Sequence, residues 1–181
     1  VGAGMIETSG SKGHHHSERS GHVTPAERVA RYGQQPATVL FVGLSGAGKS
    51  TLAHALERRL FDLGRVSTVL DGKGLRLGLS RDLGHDAKGR AENLRRGAHL
   101  ARYLNDSGLI CAAAFVAASA EARADALAVI GRENCLLVHL TAPLEICRQR
   151  DPSGLYAADA VEAAAAVPGV SLPYEAPGDA D

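Results

Sequence analysis

The 181 residues suffice for one α/β domain with a proper core and are too few for two large ones. Twenty lysines and arginines balance twenty aspartates and glutamates, so no global basic field exists to hold a nucleic-acid backbone or an anionic membrane, and a small-molecule partner is expected. Cys111, Cys135 and Cys147 form no CxxC pair, and no stretch has the length of a membrane span or the apolar core of a signal peptide, which together predict a soluble, cytoplasmic protein with reduced thiols.

Val1 is not an initiator methionine and the chain stops at "YEAPGDAD", so both ends read as cut from something longer. Residues 7 to 22, "ETSGSKGHHHSERSGH", carry almost nothing apolar; a flexible linker over 7–23 is expected. Its three adjacent histidines lack further ligands and a second shell, and read as linker rather than metal site. The domain proper is expected over 24–181. It opens on "TPAERVARYG", a short helix with Thr24 as N-cap, Pro25 at the first helical position, Glu27 at the third and Gly33 at the end.

Apolar runs at 38–42 ("TVLFV"), 66–70 ("VSTVL"), 109–116 ("LICAAAFV") and 135–140 ("CLLVHL") then alternate with helix-period segments. That order predicts βαβ units, hence an α/β fold with a mostly parallel sheet and helices on both faces. The helix from Ser50 is expected to present Leu52, Leu56 and Leu60 on one face. A longer one over 87–105 is expected to bury Leu94, Ala98 and Ala101 and to end near Gly108. The Ala-rich "AADAVEAAAA" reads as a mobile helix.

Between the first strand and its helix lies "GLSGAGKST", which fits G-x-x-x-x-G-K-[ST] at Gly43, Gly48, Lys49 and Ser50 in the strand–loop–helix context the motif needs. Glycines let backbone amides turn inward around phosphates, Lys49 neutralises the terminal phosphates, Ser50 offers its hydroxyl to magnesium, and the helix start adds partial positive charge. The whole loop, Gly43, Leu44, Ser45, Gly46, Ala47, Gly48, Lys49, Ser50 and Thr51, is therefore the candidate ATP site, with Lys49 catalytic. The third strand ends without a carboxylate. Asp71, which ends the second, faces the same sheet edge, where it is placed to orient or deprotonate an acceptor hydroxyl or to hold magnesium with Ser50. Its alternative use is as a turn or helix cap, since "LDGKG" is good turn sequence.

In chain order, "GLSGAGKST", "LDGKGLRLGLSRDLGH", "GRAENLRRGAHLARYLNDSGLI", "APLEICRQRDPSGLY" and "PGVSLPYEAP" resemble the adenylylsulfate kinase family, over most of residues 38–177. The resemblance implies a P-loop kinase that uses MgATP to phosphorylate the ribose 3′-hydroxyl of adenosine 5′-phosphosulfate (APS). It also implies a homodimer. On matching positions, it makes Asp71 the catalytic acid and Arg76, Arg90 and Asn93 the residues that hold APS; arginine forks suit phosphate and sulfate oxygens, and Arg90 and Asn93 share a helix face. An ordinary solvated surface is the alternative for these arginines. "RQRDPSGLY" resembles the family's lid, with Arg148 and Arg150 closing over the nucleotide.

The departures are specific. Lys73 stands where the family has a second acid, and Ser153 where it has a lid lysine; Lys73 is either a relocated cation or a charge that opposes magnesium. His85 and Val167 occupy the positions of the two phenylalanines that sandwich the acceptor's adenine. The family's Ile-Ser-Pro appears as Val116, Ala117 and Ala118, so direct in-line transfer is expected rather than a phosphoserine intermediate. "VGAGMI", residues 1–6, resembles the closing strand of the large subunit of sulfate adenylyltransferase, which implies a fused or associated sulfate adenylyltransferase. Two other readings stay open: another small-molecule P-loop kinase, which a substrate panel separates, and a nucleotide-binding regulatory domain, which lacks transfer altogether.

Overall fold

The computed structural model describes residues 22–151, 154–157 and 167–178. The expectations for the first six residues, the linker and its histidines, Ser153 and most of the Ala-rich helix lie outside them. Helix α1 (Pro25–Tyr32) has the capping box expected: Thr24 accepts from the Glu27 amide while the Glu27 carboxylate accepts from the Thr24 amide, and Gly33 ends the helix at φ 62°. α1 docks against Gly108, where a side chain would collide with the Tyr32 ring. The buried Gln34 amide then pins the chain by donating to the carbonyls of Val66 and Gly108 and accepting from the Val66 amide.

Strand β1 (Thr38–Gly43), helix α2 (Lys49–Asp62), β2 (Ser67–Asp71), the short α3 (Gly72–Leu75), α4 (Ala87–Asp106), β3 (Ile110–Phe115), α5 (Ala120–Ile130), β4 (Cys135–Leu140) and α6 (Leu144–Gln149) follow in chain order. The four strands form one parallel sheet in the order β2-β3-β1-β4. The continuous apolar runs are explained by burial on both faces. Alternate residues divide between two cores: Leu40, Val42, Cys111, Ala113 and Phe115 face α4 and α5 with Leu94, Ala98 and Ile130, while Phe41, Ala112 and Ala114 face α2 with Ala53 and Leu56. All three cysteines are buried.

The α2 stripe is only partly buried. Leu52 is 46 % exposed, while α2 meets the sheet through Leu56 and through Ala53, which is fully buried against the small residues of β3. Alanine against alanine lets helix and sheet approach closely, which turns the leucine stripe partly outward. In α4 the expected Leu94, Ala98 and Ala101 are buried, together with Gly97.

Gly72 and Gly97 have a shared reason. The Phe115 ring, at the end of β3, is wedged between the start of α3 and the middle of α4; a Cβ on Gly72 would lie 2.8 Å from Phe115 Cδ1, and one on Gly97 would overlap the same ring. This wedge sets how near α3 and α4 stand to the sheet edge. Gly97→Ala is expected to lower unfolding free energy by about 1–3 kcal/mol through overpacking, read from the urea midpoint; Gly97→Ala combined with Phe115→Leu is expected to recover part of that loss.

Candidate active site

The loop between β1 and α2 rests on the chain that leaves β4. Gly43 (φ 146°) and Gly46 (φ 80°) adopt backbone conformations that side chains disfavour, and each is also too crowded for a Cβ: one on Gly43 would lie 2.7 Å from the Leu140 carbonyl oxygen, one on Gly46 2.5 Å from that of Cys147. So supported, the loop turns back on itself, with the Ala47 amide donating to the Leu44 carbonyl. Lys49, the first residue of α2, is buried, and its ammonium donates to the carbonyls of Gly43 (2.9 Å) and Leu44 (2.6 Å). Burial and then the charge of Lys73 push the Lys49 pKa down to about 8, against a smaller opposing pull from Asp71.

A cleft of about 1220 Å³ opens above this loop, floored by residues 45–51. Asp71, Lys73, Arg76, His85, Arg90, Asn93, Arg150 and Asp151 line it as well. Asp71 ends β2 and caps α3, its carboxylate accepting from the Lys73 amide at 2.7 Å. The cap and the cleft position are compatible, because a carboxylate has further lone pairs to offer. Asn93, 5 % exposed, donates to the Gly72 carbonyl at 3.0 Å, while its Oδ1 is buried with no protein partner among the described residues.

The two arginines differ. Arg76 spends its guanidinium on the carbonyls of Leu83, Gly84 and Gly89, so it braces the turn that precedes α4 while forming part of the wall. Arg90 donates through Nε to the His85 carbonyl and sits at the seam between the cleft and a smaller cavity of about 170 Å³. Partial burial, then the charges of Arg76 and Arg90, hold the His85 imidazole below its ordinary pKa.

Most of the expected residues thus meet in one cleft, and a few do not. Gly43 and Leu44 contribute their carbonyls to Lys49 rather than a surface, and the Leu44 side chain packs on Gly169. Arg148 is exposed at the end of α6 and does not line the cleft, whereas Arg150 does. Val167 is corrected: it is fully buried, its amide donates to Ser171 Oγ and its carbonyl accepts from the amides of residues 170–172, so it closes a turn and presents no surface to a ring.

Other contributors carry no sequence signal, because their partners are far away in the chain. Tyr156 donates its hydroxyl to the Ser45 carbonyl at 2.8 Å and its amide to Asp151, which pins residues 154–157 onto the phosphate loop. Glu175 accepts from the Ala120 amide and donates its own to the Ala118 carbonyl, fastening the last described segment over the smaller cavity. Between them Ala117, at φ 47°, is held by the buried Arg123, which donates to its carbonyl at 2.8 Å.

Among the described residues no group of three or more His, Cys, Asp or Glu side chains forms a metal cage. The Ser50 hydroxyl and the Asp71 carboxylate on one cleft are a hard-oxygen pair that fits magnesium, which takes few protein ligands and draws the rest from phosphates and water.

The family model for adenylylsulphate kinase matches residues 35–181. The bifunctional enzyme CysN/CysC of Rhodopirellula baltica is 48 % identical over the whole chain, which spans 30 % of that protein's length. An adenylyl-sulfate kinase of Shewanella sp. strain MR-7 is 44 % identical over 91 % of the chain and 78 % of its own length. The APS kinase CysC of Mycobacterium tuberculosis, solved in complex with AMPPNP and APS, superimposes with a TM-score of 0.76 at 42 % identity, covering 81 % of this chain and 86 % of its own. With its phosphate loop, parallel sheet and basic cleft, the chain belongs to the adenylylsulphate kinase family of P-loop kinases.

Proposed function

We propose that this domain transfers the γ-phosphate of ATP to the 3′-hydroxyl of APS, giving 3′-phosphoadenylyl sulfate and ADP, with residues 43–51 holding the triphosphate and Asp71 serving the acceptor. The observation that carries the reading is the convergence of Lys49, Asp71, Arg90 and Asn93 on one cleft at the C-terminal edge of β1 and β2.

The acceptor oxygen attacks the γ-phosphorus in line, the bond from phosphorus to the β–γ bridging oxygen breaks, and the hydroxyl proton passes to Asp71. Lys49 gives up its loop carbonyls for the β- and γ-phosphates. Magnesium, held by Ser50 with Asp71, supplies charge neutralisation when bound. Arg90 meets the phosphosulfate, Asn93 offers its buried Oδ1 and amide to the nucleoside, and Arg76 keeps the 83–85 turn in place. His85 stacks on the adenine; with Val167 withdrawn, that sandwich has one wall. Arg150 approaches the nucleotide from the lid side, and Arg148 joins it only if the lid moves.

Residues 1–6 belong, in this reading, to the end of a sulfate adenylyltransferase domain and 7–23 to a linker, in the manner of the bifunctional relative; a cytoplasmic homodimer completes it. No helix among the described residues is long and apolar enough to cross a membrane. Incubation with MgATP and APS is expected to yield the 3′-phosphorylated product by mass and position. Lys49→Ala and Asp71→Asn are each expected to lower turnover about 100-fold or more, and binding of nucleotide without transfer to APS would overturn the assignment.

The Lys49 pKa gives a separate prediction. Its folded value of about 8 lies below the ordinary lysine value, so the free protein carries the ammonium below about 8 and a neutral amine above it. Triphosphate binding needs the cation. Affinity is expected to be level below about pH 8 and to fall above it, approaching tenfold per pH unit, with proton uptake rising from none below about pH 8 toward one per nucleotide above it. Calorimetry in buffers of different ionisation enthalpy measures that proton directly.

A further inference from the structure

We propose that Lys73 is a second cation for the terminal phosphate, a residue that makes this cleft prefer a nucleoside triphosphate over a diphosphate. The inference rests on the reading of the cleft as the ATP site.

The cleft wall carries five cationic side chains, Lys49, Lys73, Arg76, Arg90 and Arg150, against two carboxylates, Asp71 and Asp151. Within that set Lys73 and Arg150 stand apart. Arg76 and Arg90 are engaged with backbone carbonyls and Lys49 with the loop, whereas the Lys73 side chain is exposed and its ammonium has no hydrogen bond or ion pair among the described residues. Its backbone is fixed. The amide is bound by Asp71, and the adjoining Gly72 is seated on Phe115, so α3 offers its lysine from a rigid mount.

Lys49 and Lys73 line the same cleft together with Asp71. An anion seated there is attracted by both ammonium groups. Lys49 reaches the β- and γ-phosphates in such loops, and Asp71, two residues from Lys73, lies where the acceptor meets the transferring group. The anion between the two lysines is therefore the terminal phosphate. A diphosphate leaves that place empty and gains little from Lys73.

The test compares wild type, Lys73→Gln and Lys73→Arg by calorimetric titration with AMPPNP and with ADP, each with magnesium and with EDTA. Since Lys73 is exposed and only its amide is structural, all three are expected to fold, and thermal unfolding checks this. The expected result for Lys73→Gln is a loss of about fivefold for AMPPNP and under about twofold for ADP, with Lys73→Arg near wild type. Equal AMPPNP affinity in Lys73→Gln and wild type would overturn the proposal. So would similar losses for both nucleotides, which is a diffuse field, or tighter AMPPNP binding in Lys73→Gln with magnesium, which is opposition to the metal. Wild type that makes the 3′-phosphorylated product while Lys73→Gln keeps its triphosphate preference overturns this inference alone. Wild type that fails to bind AMPPNP overturns the ATP-site reading as well.

Discussion

A buried ammonium held only by carbonyl oxygens governs the arrangement of this cleft. Lys49 hydrogen-bonds Gly43 and Leu44 at the cost of its own solvation, and no carboxylate among the described residues pairs with it. Charge buried in this way is costly and is stabilised only by dipoles aimed at it, which requires a loop whose carbonyls point inward. The loop holds that shape because Gly43 and Gly46 lie against the carbonyls of Leu140 and Cys147 with no room for a side chain. The sheet order follows the same need: β1 stands between β3 and β4, so the loop has the β4 exit behind it and the acceptor side in front.

That dependence explains which features were legible in the sequence. The phosphate loop, the four strands and the α1 capping box are local: each is encoded by residues within one turn or one strand, and each is found where the sequence pattern put it. In α2 periodicity reports which side is apolar, while the depth of contact is decided by size, and Ala53 permits a closer approach to Ala112 and Ala114 than any leucine does. Asp71 was legible as both a strand-end acid and a cap. Arg76 was legible as a cleft residue, but its use as a brace depends on carbonyls of Leu83, Gly84 and Gly89 that no motif specifies.

Tyr156, Glu175 and Arg123 were not legible at all. The side chain of each bonds a backbone atom, and backbone atoms have no residue identity to leave a trace in composition or spacing. Val167 was misplaced for a related reason: alignment with a family position assigns a side chain, but the direction of that side chain is set by the turn that Ser171 and the 170–172 amides build around it.

In the proposed APS site, with Val167 fully buried, recognition rests more on charge than on stacking. The Phe115 ring is already confined between Gly72 and Gly97. What distinguishes ligands is then the placement of fixed cations. Arg76 and Arg90 are immobilised by carbonyls before any ligand arrives, which removes much of the entropy cost of ordering long side chains at binding. Lys73 differs from them, a flexible ammonium on a rigid backbone. An exposed charge of that kind contributes little to the fold and has its largest effect where a polyanion displaces water around it. Its position beside Asp71 therefore has consequences for the ligand rather than for the protein, and a change there is free to retune nucleotide preference without disturbing the glycine contacts on which the cleft is built.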